Sequence, residues 1–179
     1  MDDIAKALGI SKKTIYQHFE DKDEVIFKIM ETEMTKDKCE WVELGNTSKN
    51  TIEKMINAQN LMKKSMEGMN PSIFLDIKRF HTRAWGLFQK HKHEFILKTI
   101  TDDINTGIAE GLFRENINVD FMGRYRLEQV EMGFDPAIFP IEKYSMAEIQ
   151  TTLMDHFIRG ILTEKGLNQY NTYQQSLQL

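Results

Sequence analysis

Residues 4–25 read IAKALGISKKTIYQHFEDKDEV, a stretch whose apolar side chains recur at helical spacing on either side of one glycine. They form two stripes, with Ile4, Ala5 and Leu8 in the first and Ile15 and Phe19 in the second. Gly9 has the backbone freedom to end the first helix within a single residue, and Ser11 is well placed to cap the second. The pattern predicts a helix, a tight turn and a second helix whose apolar faces meet.

Polar side chains remain on the outer face of this predicted pair. They are Ser11, Lys12, Lys13, Thr14, Tyr16, Gln17 and His18, followed by Lys22 at the start of the next segment. Lys and Gln side chains can read base edges in the major groove, and a Thr methyl group can touch thymine. Tyr16, His18 and Lys22 suit the phosphate backbone, where contacts set register without carrying sequence information. We therefore predict double-stranded DNA as the partner, against the alternative of a solvated helix pair with a basic face.

The same stretch resembles the DNA-binding signature of the tetracycline-repressor (TetR) family. The matching residues are Ile4-Ala5, Ala7-Leu8-Gly9-Ile10-Ser11, Thr14-Ile15-Tyr16, His18-Phe19 and Asp21-Lys22-Asp23-Glu24. The resemblance implies an all-α repressor with an N-terminal helix-turn-helix and an α-helical domain that binds a small-molecule effector and forms a homodimer. Members of the family have one more helix before this pair. We therefore expect a truncated three-helix domain here, and weaker DNA binding than by a chain extended upstream. The alternative is that the start of the long third helix partly covers the apolar faces of the pair.

Composition limits the other classes of protein that fit. With 179 residues, 41% hydrophobic and 28% charged, the chain is typical of a globular protein. A net charge of −4 argues against a protein that coats nucleic acid over its whole surface, although a local basic face remains possible. No apolar run approaches the roughly 18 residues of a membrane span, and no secretory signal opens the chain, so we expect a cytoplasmic protein with no membrane partner.

Apolar spacing of three and four residues continues through most of the chain, which predicts an all-α fold. The expected helices cover residues 1–8, 12–19, 22–44, 48–68, 71–89, 91–110, 119–133 and 145–164. Asn70-Pro71 is expected to begin the fifth, with Asn as the cap and Pro in the first turn. The Gln-rich tail after Gly166 is expected to be a loosely held end. We predict two domains, a DNA-binding region with its connecting helix at 1–44 and an effector and dimerisation domain at 45–179.

The resemblance extends to two expected sites in the second domain. Large apolar side chains in pocket-lining regions of such folds are Met62, Met66, Phe74, Trp85, Phe88, Met122 and Tyr125. Ordinary core packing is the favoured alternative for any one of them. A stripe on the last predicted helix suits a two-fold interface with residues 119–133, unless it packs inside its own chain. The stripe consists of Ile149, Leu153, His156, Phe157, Gly160 and Ile161.

The residues give no support to catalysis or to a metal site. His91 and His93 are two apart and so point to different faces of a helix, and no helical metal-binding pair of histidines occurs. The single cysteine, Cys39, can form neither an internal disulfide nor a zinc site. We predict no cofactor and no enzyme. The remaining alternative is a helical dimer that binds a ligand or a protein and has lost DNA binding, which steeply salt-dependent retention of a palindromic duplex would exclude.

Overall fold

The computed structural model describes residues 1–70 and 72–176, and the regular secondary structure of this part of the chain is helical, with one isolated β-bridge between Phe113 and Leu162. The helices are α1 (Asp2–Leu8), α2 (Lys12–Tyr16), α3 (Lys22–Thr47), α4 (Thr51–Met66), α5 (Ser72–Phe80), α6 (Thr82–His91), α7 (Leu97–Ala109), α8 (Val119–Met132), α9 (Met146–Ile161) and α10 (Glu164–Ser176). A π-helical segment, Lys92–Ile96, joins α6 to α7. The predicted all-α fold is confirmed.

The N-terminal helices share a small apolar cluster of their own. Ala5 of α1, Ile15 of α2 and Val25 of α3 are buried together, with Met1, Ile4 and Phe19 packed around them. The first turns of α3 therefore supply part of the cover that two short helices cannot give each other. Leu8, expected in the first stripe, is instead 64% exposed at the end of α1.

The main core is formed by α4, α7, α9 and α10. Its most deeply buried members are Ile52, Ile104, Phe113, Ile158, Ile161 and Tyr170. Gly107 of α7 makes room for the Phe113 ring, because a Cβ atom at Gly107 would lie less than 3.0 Å from that ring. This packing fixes the frame on which α5, α6 and α8 are held.

Several helix boundaries differ from the expected ones. The hydrogen-bonding pattern of α2 ends at Tyr16 rather than at residue 19, and α3 continues past residue 44 to Thr47. The predicted helix at 71–89 breaks at His81, while the expected gap before 91–110 is bridged by the π-helical segment. The Asn70 side chain accepts a hydrogen bond from the Ser72 N–H at 3.0 Å. Pro71, expected in the first turn, lies outside the described residues.

The expectation of a loose tail is wrong as far as residue 176. Helix α10 begins at Glu164, and its Tyr170 is completely buried in the main core. The Tyr170 hydroxyl donates a hydrogen bond to Asp155 of α9 at 2.7 Å, and the Arg159 guanidinium lies 4.9 Å from the centre of its ring. Aromatic anchoring holds a segment whose composition is otherwise polar. Residues 177–179 lie outside the described part.

Candidate functional site

The turn between α1 and α2 has the geometry that its residues predict. Gly9 adopts φ 65°, in the left-handed region that favours glycine, and ends α1. The Ile10 N–H then donates to the Ala5 carbonyl at 3.0 Å. Ser11 caps α2, since its Oγ accepts a hydrogen bond from the Thr14 N–H at 3.0 Å. The two helices are therefore joined by only three residues, all of them exposed.

The orientation of α2 separates an apolar side from a polar one. Ile15 is only 5% exposed, and Phe19 is half-buried beside it. The polar residues of the predicted DNA face are all exposed except the half-buried Thr14: Ser11, Lys12, Lys13, Tyr16, Gln17, His18 and Lys22. The structure thus places the predicted base and phosphate contacts at the protein surface, with Ile15 as the inward anchor.

One member of this face already has a charged partner. Lys12 Nζ lies 2.9 Å from Asp2 Oδ2, in an ion pair whose side chains are 47% and 79% exposed. The hydrogen bond, together with Coulombic attraction, raises the pKa of Lys12 and lowers the pKa of Asp2. Because both groups are open to water, another anion can take the place of Asp2 at little cost.

The start of α3 is fixed by side-chain caps. Asp21 Oδ1 accepts a hydrogen bond from the Glu24 N–H at 2.8 Å, as a capping box requires. Glu24 Oε2 in turn accepts a hydrogen bond from the Glu20 N–H, one residue before the cap. These contacts place Lys22 at the first position of α3, directly after the α2 region.

Four side-chain contacts connect α3 to the α6 region. His81 Nδ1 is bonded to Asp23 Oδ1, and His91 Nε2 lies 2.8 Å from Asp37 Oδ2. Two cations also lie over aromatic rings: the Arg83 guanidinium is 4.2 Å from the Phe27 centroid, between the two pairs, and Lys38 Nζ is 5.6 Å from the Phe95 centroid, just beyond the second pair. The contacts occur in the same order along both segments, so α3 and α6 run parallel to each other.

A cavity of about 490 Å³ lies between α5, α6 and α8. Its lining residues are Phe74, Leu75, Lys78, Trp85, Phe88, Tyr125, Glu128, Gln129, Glu131, Met132, Phe134 and Asp135. The aromatic rings are in mutual contact: Phe74 stacks on Phe134 with centroids 3.8 Å apart, and Phe88 lies 5.5 Å from Phe74 and 5.2 Å from Trp85. The volume and the mixed lining suit a small molecule.

The cavity contains four of the seven residues expected to line a pocket, namely Phe74, Trp85, Phe88 and Tyr125. The three methionines expected there are not part of the lining. Met62 and Met122 pack against the main core, which corrects their expected position, and the half-buried Met66 ends α4 away from this lining. Contact with a ligand stays a prediction for the four aromatic residues.

Charged groups at the cavity form one connected cluster. Lys78 Nζ lies 3.6 Å from Glu131 Oε1 and 5.2 Å from the centroid of Trp85. Behind them the buried Lys92 donates to Glu128 at 2.9 Å and to Glu131. Burial opposes the charge on both Lys92 and Glu131, but their mutual hydrogen bond and attraction prevail. They raise the pKa of Lys92 and, with help from Lys78, lower the pKa of Glu131.

The stripe expected at a dimer interface is divided between two faces of α9. Ile149, Phe157 and Ile161 are buried within this chain, which corrects their assignment to an interface with a second copy. His156 and Gly160 are exposed and Leu153 is half-buried, so these three remain on the outer side. The three- and four-residue spacing grouped residues of both faces into one stripe, because apolar residues occur on more than one side of α9.

Sequence reasoning missed the polar part of the cavity and the contacts between α3 and α6. The acidic pair Glu128 and Glu131, three residues apart on α8, was an available signal, because such spacing places both side chains on one face. The pairs that join Asp23 to His81 and Asp37 to His91 span more than fifty residues, and no local pattern indicates them.

Within residues 1–70 and 72–176, no group of three or more His, Cys, Asp or Glu side chains could hold a metal ion. None of the helices in those ranges combines the length and the apolar character that crossing a membrane requires. His93 is exposed, whereas His91 is buried, as their spacing predicts.

Comparison with known proteins agrees with the motif and the fold. Residues 1–29 match the sequence profile of bacterial regulatory proteins of the tetR family. Over 172 residues the chain is 24% identical to YvaF of Bacillus subtilis (strain 168), an uncharacterized HTH-type transcriptional regulator; this covers 92% of the chain and 86% of YvaF.

Two solved structures share the architecture. A TetR-family transcriptional regulator from Agrobacterium tumefaciens matches with a TM-score of 0.73 at 13% identity, over 90% of this chain and 86% of that chain. FadR of Bacillus subtilis, in complex with stearoyl-CoA, matches with a TM-score of 0.60 at 15% identity, over 89% and 87%. At these identities the structural likeness shows the fold alone. Taken with the helix-turn-helix geometry, the matching profile means that residues 1–29 form a helix-turn-helix region of the tetR type, and the rest of the chain shares the fold of TetR-family regulators.

Proposed function

We propose that the chain is a repressor that holds operator DNA with the exposed face of α2 and releases it when a small molecule occupies the cavity between α5, α6 and α8. The observation that carries the DNA-binding part is the orientation of α2. Its Ile15 is held inward by Ala5 and Val25, while the lysine side chains of the same short helix, and the Gln17 amide directly after it, are exposed. Such a helix can enter a major groove without unpacking.

We assign different roles to the exposed residues. Lys12, Lys13, Thr14 and Gln17 face base edges, with Ser11 fixing the start of the helix, and Gln17 pairs with adenine through its amide. Tyr16, His18 and Lys22 contact phosphates and set the register. The position of Lys22 at the start of α3 supports this role, because the apolar cluster that contains Ile15 and Val25 holds this end of α3 against α2.

We further propose that two copies form a two-fold dimer through α8 and the outer side of α9, where Leu153, His156 and Gly160 lie. An added Cβ at Gly160 meets no atom within 4 Å, so a partner helix could approach closely there. A dimer binds two half-sites only when its reading helices are about one DNA turn, roughly 34 to 36 Å, apart. Any change in that spacing lowers operator affinity.

The proposed division into a DNA-binding region at 1–44 and an effector and dimerisation domain at 45–179 makes α3 the connecting lever. Its contacts with the α6 region support this role. His81 follows α5, which contributes Phe74 and Lys78 to the cavity, and bonds to Asp23 near the start of α3. A ligand that shifts α5 would therefore move the base of the DNA-reading unit. FadR, with its bound stearoyl-CoA, supports a ligand role for this fold.

Operator selection followed by single substitutions tests the proposal. Duplexes that bind the protein are selected from random DNA, and affinities are then measured over a series of salt concentrations. Tyr16→Ala and Lys22→Ala should weaken binding to all duplexes alike, and Lys22→Ala should reduce the salt slope by about 0.9 per half-site. Gln17→Ala should relax the preference at one base pair, by about 1 to 3 kcal/mol of discrimination.

The exposed Lys49, which precedes α4, provides a matched control for charge. Lys49→Ala should leave both affinity and slope unchanged, because this residue lies outside α1, α2 and the start of α3. A Gln17→Ala protein with unaltered base preference would show that the assignment of base contacts is wrong. Absence of any salt-dependent duplex binding would contradict the proposed function as a whole.

A further inference from the structure

The charges in the cavity restrict the chemistry of its occupant. Resting on the proposed role of this cavity as the effector site, we propose that the effector is an amphipathic organic cation, with an aromatic body and a primary ammonium or amidinium group. The proposal depends on how Lys78, Trp85 and Glu131 are arranged, on the other carboxylates of the lining, and on the buried amide of Gln129.

The protein already places a cation where the effector's charge would lie. Lys78 Nζ is 5.2 Å from the centroid of the Trp85 ring and 3.6 Å from Glu131 Oε1. A cation over an indole face and beside a carboxylate is stabilised by both groups. The Lys78 side chain is 56% exposed, so it can swing into water and leave this position to a ligand.

The sign of the lining charge favours the same class of ligand. Glu128, Glu131 and Asp135 contribute three carboxylates, against one ammonium, that of Lys78, in the described lining. Lys92 neutralises part of this charge from behind the wall and, with Lys78, keeps the pKa of Glu131 low despite burial. Glu131 is therefore anionic at neutral pH. A coenzyme A thioester, with several negative charges, would meet net repulsion here.

The amide of Gln129 supports a ligand that donates hydrogen bonds. This residue lines the cavity and is only 4% exposed, and its Oε1 is buried with no hydrogen-bond partner among the described residues. An amide oxygen only accepts hydrogen bonds, so an N–H group of the ligand would satisfy it once the Gln129 side chain turns towards the cavity. The stacked Phe74 and Phe134 rings of the same lining provide an apolar surface for an aromatic body.

Calorimetric titration of the full chain in the absence of DNA tests the ligand class. Three probes share a naphthyl body and differ in charge: naphthylethylamine, naphthylethanol and naphthylacetate, with stearoyl-CoA as a fourth ligand. The amine should bind about tenfold more tightly than the alcohol, and the alcohol more tightly than either anion. Equal binding of amine and alcohol, tighter binding of an anion, or no binding of the amine at millimolar concentration would each overturn the proposal.

Substitutions at two positions separate this proposal from a general apolar pocket. Lys78→Met removes the chain's own competing cation, and affinity for the amine should rise about threefold or more. Trp85→Leu should lower the affinity for the amine about tenfold and change the affinity for the alcohol less. Glu115→Gln removes an exposed carboxylate outside the cavity and should change neither of these two affinities. Circular dichroism verifies folding. Weaker amine binding by folded Lys78→Met would contradict the proposal, since Lys78 would then be a contact for the ligand.

The two proposals fail in different ways. The titration contains no DNA. Binding of the amine without binding of any duplex would therefore contradict the proposed function and leave the proposed ligand class intact. If the protein binds a duplex but binds none of the cations, only the ligand class is wrong. A complex that binds the amine and still retains its duplex would contradict the release step.

Discussion

The ion pair between Lys12 and Asp2 makes a sharp prediction about DNA affinity. Asp2→Asn removes a carboxylate 2.9 Å from Lys12 Nζ while keeping a side chain of the same shape. The substitution leaves Lys12 free for DNA without altering α2, which is anchored by Ile15 and capped by Ser11. Operator affinity should therefore rise in Asp2→Asn.

The expected size follows from counterion release. In the native protein, Lys12 must exchange Asp2 for a DNA group, so part of its contribution is cancelled. Freeing it adds about one cation contact per half-site and should steepen the slope of log affinity against log salt by about 0.9. Between about 50 and 200 mM salt, a slope change of that size alters the affinity ratio of variant to native protein roughly three- to fourfold per half-site.

Fluorescence anisotropy on a selected duplex, titrated with salt, measures this slope. Asp3→Asn is the matched control, because Asp3 is exposed on the same turn of α1 and carries the same charge, but has no ion pair in the described residues. The Lys12→Ala background provides a second control. There Asp2→Asn should have no larger effect than Asp3→Asn.

Equal slopes for the Asp2→Asn and Asp3→Asn proteins would refute the reasoning, because charge near α1 would then act without Lys12. A persistent effect of Asp2→Asn in the Lys12→Ala background would refute it equally. Either result would show that Asp2 does not modulate DNA binding through Lys12.

Two predictions concern stability. Gly107→Ala should destabilise the protein by about 1 to 2 kcal/mol in urea unfolding, since the new Cβ would overlap the Phe113 ring and helix propensity offsets only part of the cost; Gly86→Ala, with no atom within 4 Å, should be neutral or stabilising. Lys92→Met should cost about 1 to 2 kcal/mol near neutral pH. Folding raises the pKa of Lys92 above 10.5 and lowers the pKa of Glu131 below 4.5. The stability lost in Lys92→Met should therefore shrink when the pH rises above the Lys92 pKa or falls below the Glu131 pKa. A loss of stability that does not vary with pH would exclude this ion pair as its cause.

The helix-turn-helix could be predicted because all its determinants are local. Gly9, Ser11 and Asp21 each act within four residues, and the inward position of Ile15 follows from helical spacing. Even so, Leu8 remains exposed despite its place in the stripe, because burial requires a neighbour as well as a period. Local sequence signals therefore predict the presence of a helix better than they predict which of its residues are buried.

The cavity and α10 could be predicted only in part, because both depend on contacts between distant residues. Aromatic positions such as Phe74 and Trp85 were identified, whereas the lining carboxylates were hidden among the many charged positions of an ordinary surface helix. In the same way, the polar composition of α10 gave no indication that its Tyr170 is buried. Tyr170 becomes a core residue only when α9 supplies the acceptor for its hydroxyl.

The parallel contact of α3 with the α6 region indicates why a small ligand could be enough to change DNA binding. Its contacts extend from Asp23 to Lys38 on α3, about 22 Å at 1.5 Å per residue. Because α3 is held at both ends of this contact region, it would tilt as a rigid body when α6 moves. The start of α3 contributes Val25 to the apolar cluster that anchors α2, so the tilt would reach α2. A hydrogen bond such as that between His91 and Asp37 contributes about 1 kcal/mol, while allosteric coupling typically amounts to 1 to 3 kcal/mol. A ligand that broke or rearranged one or two of these contacts would thus supply a coupling energy of the size that a regulator needs.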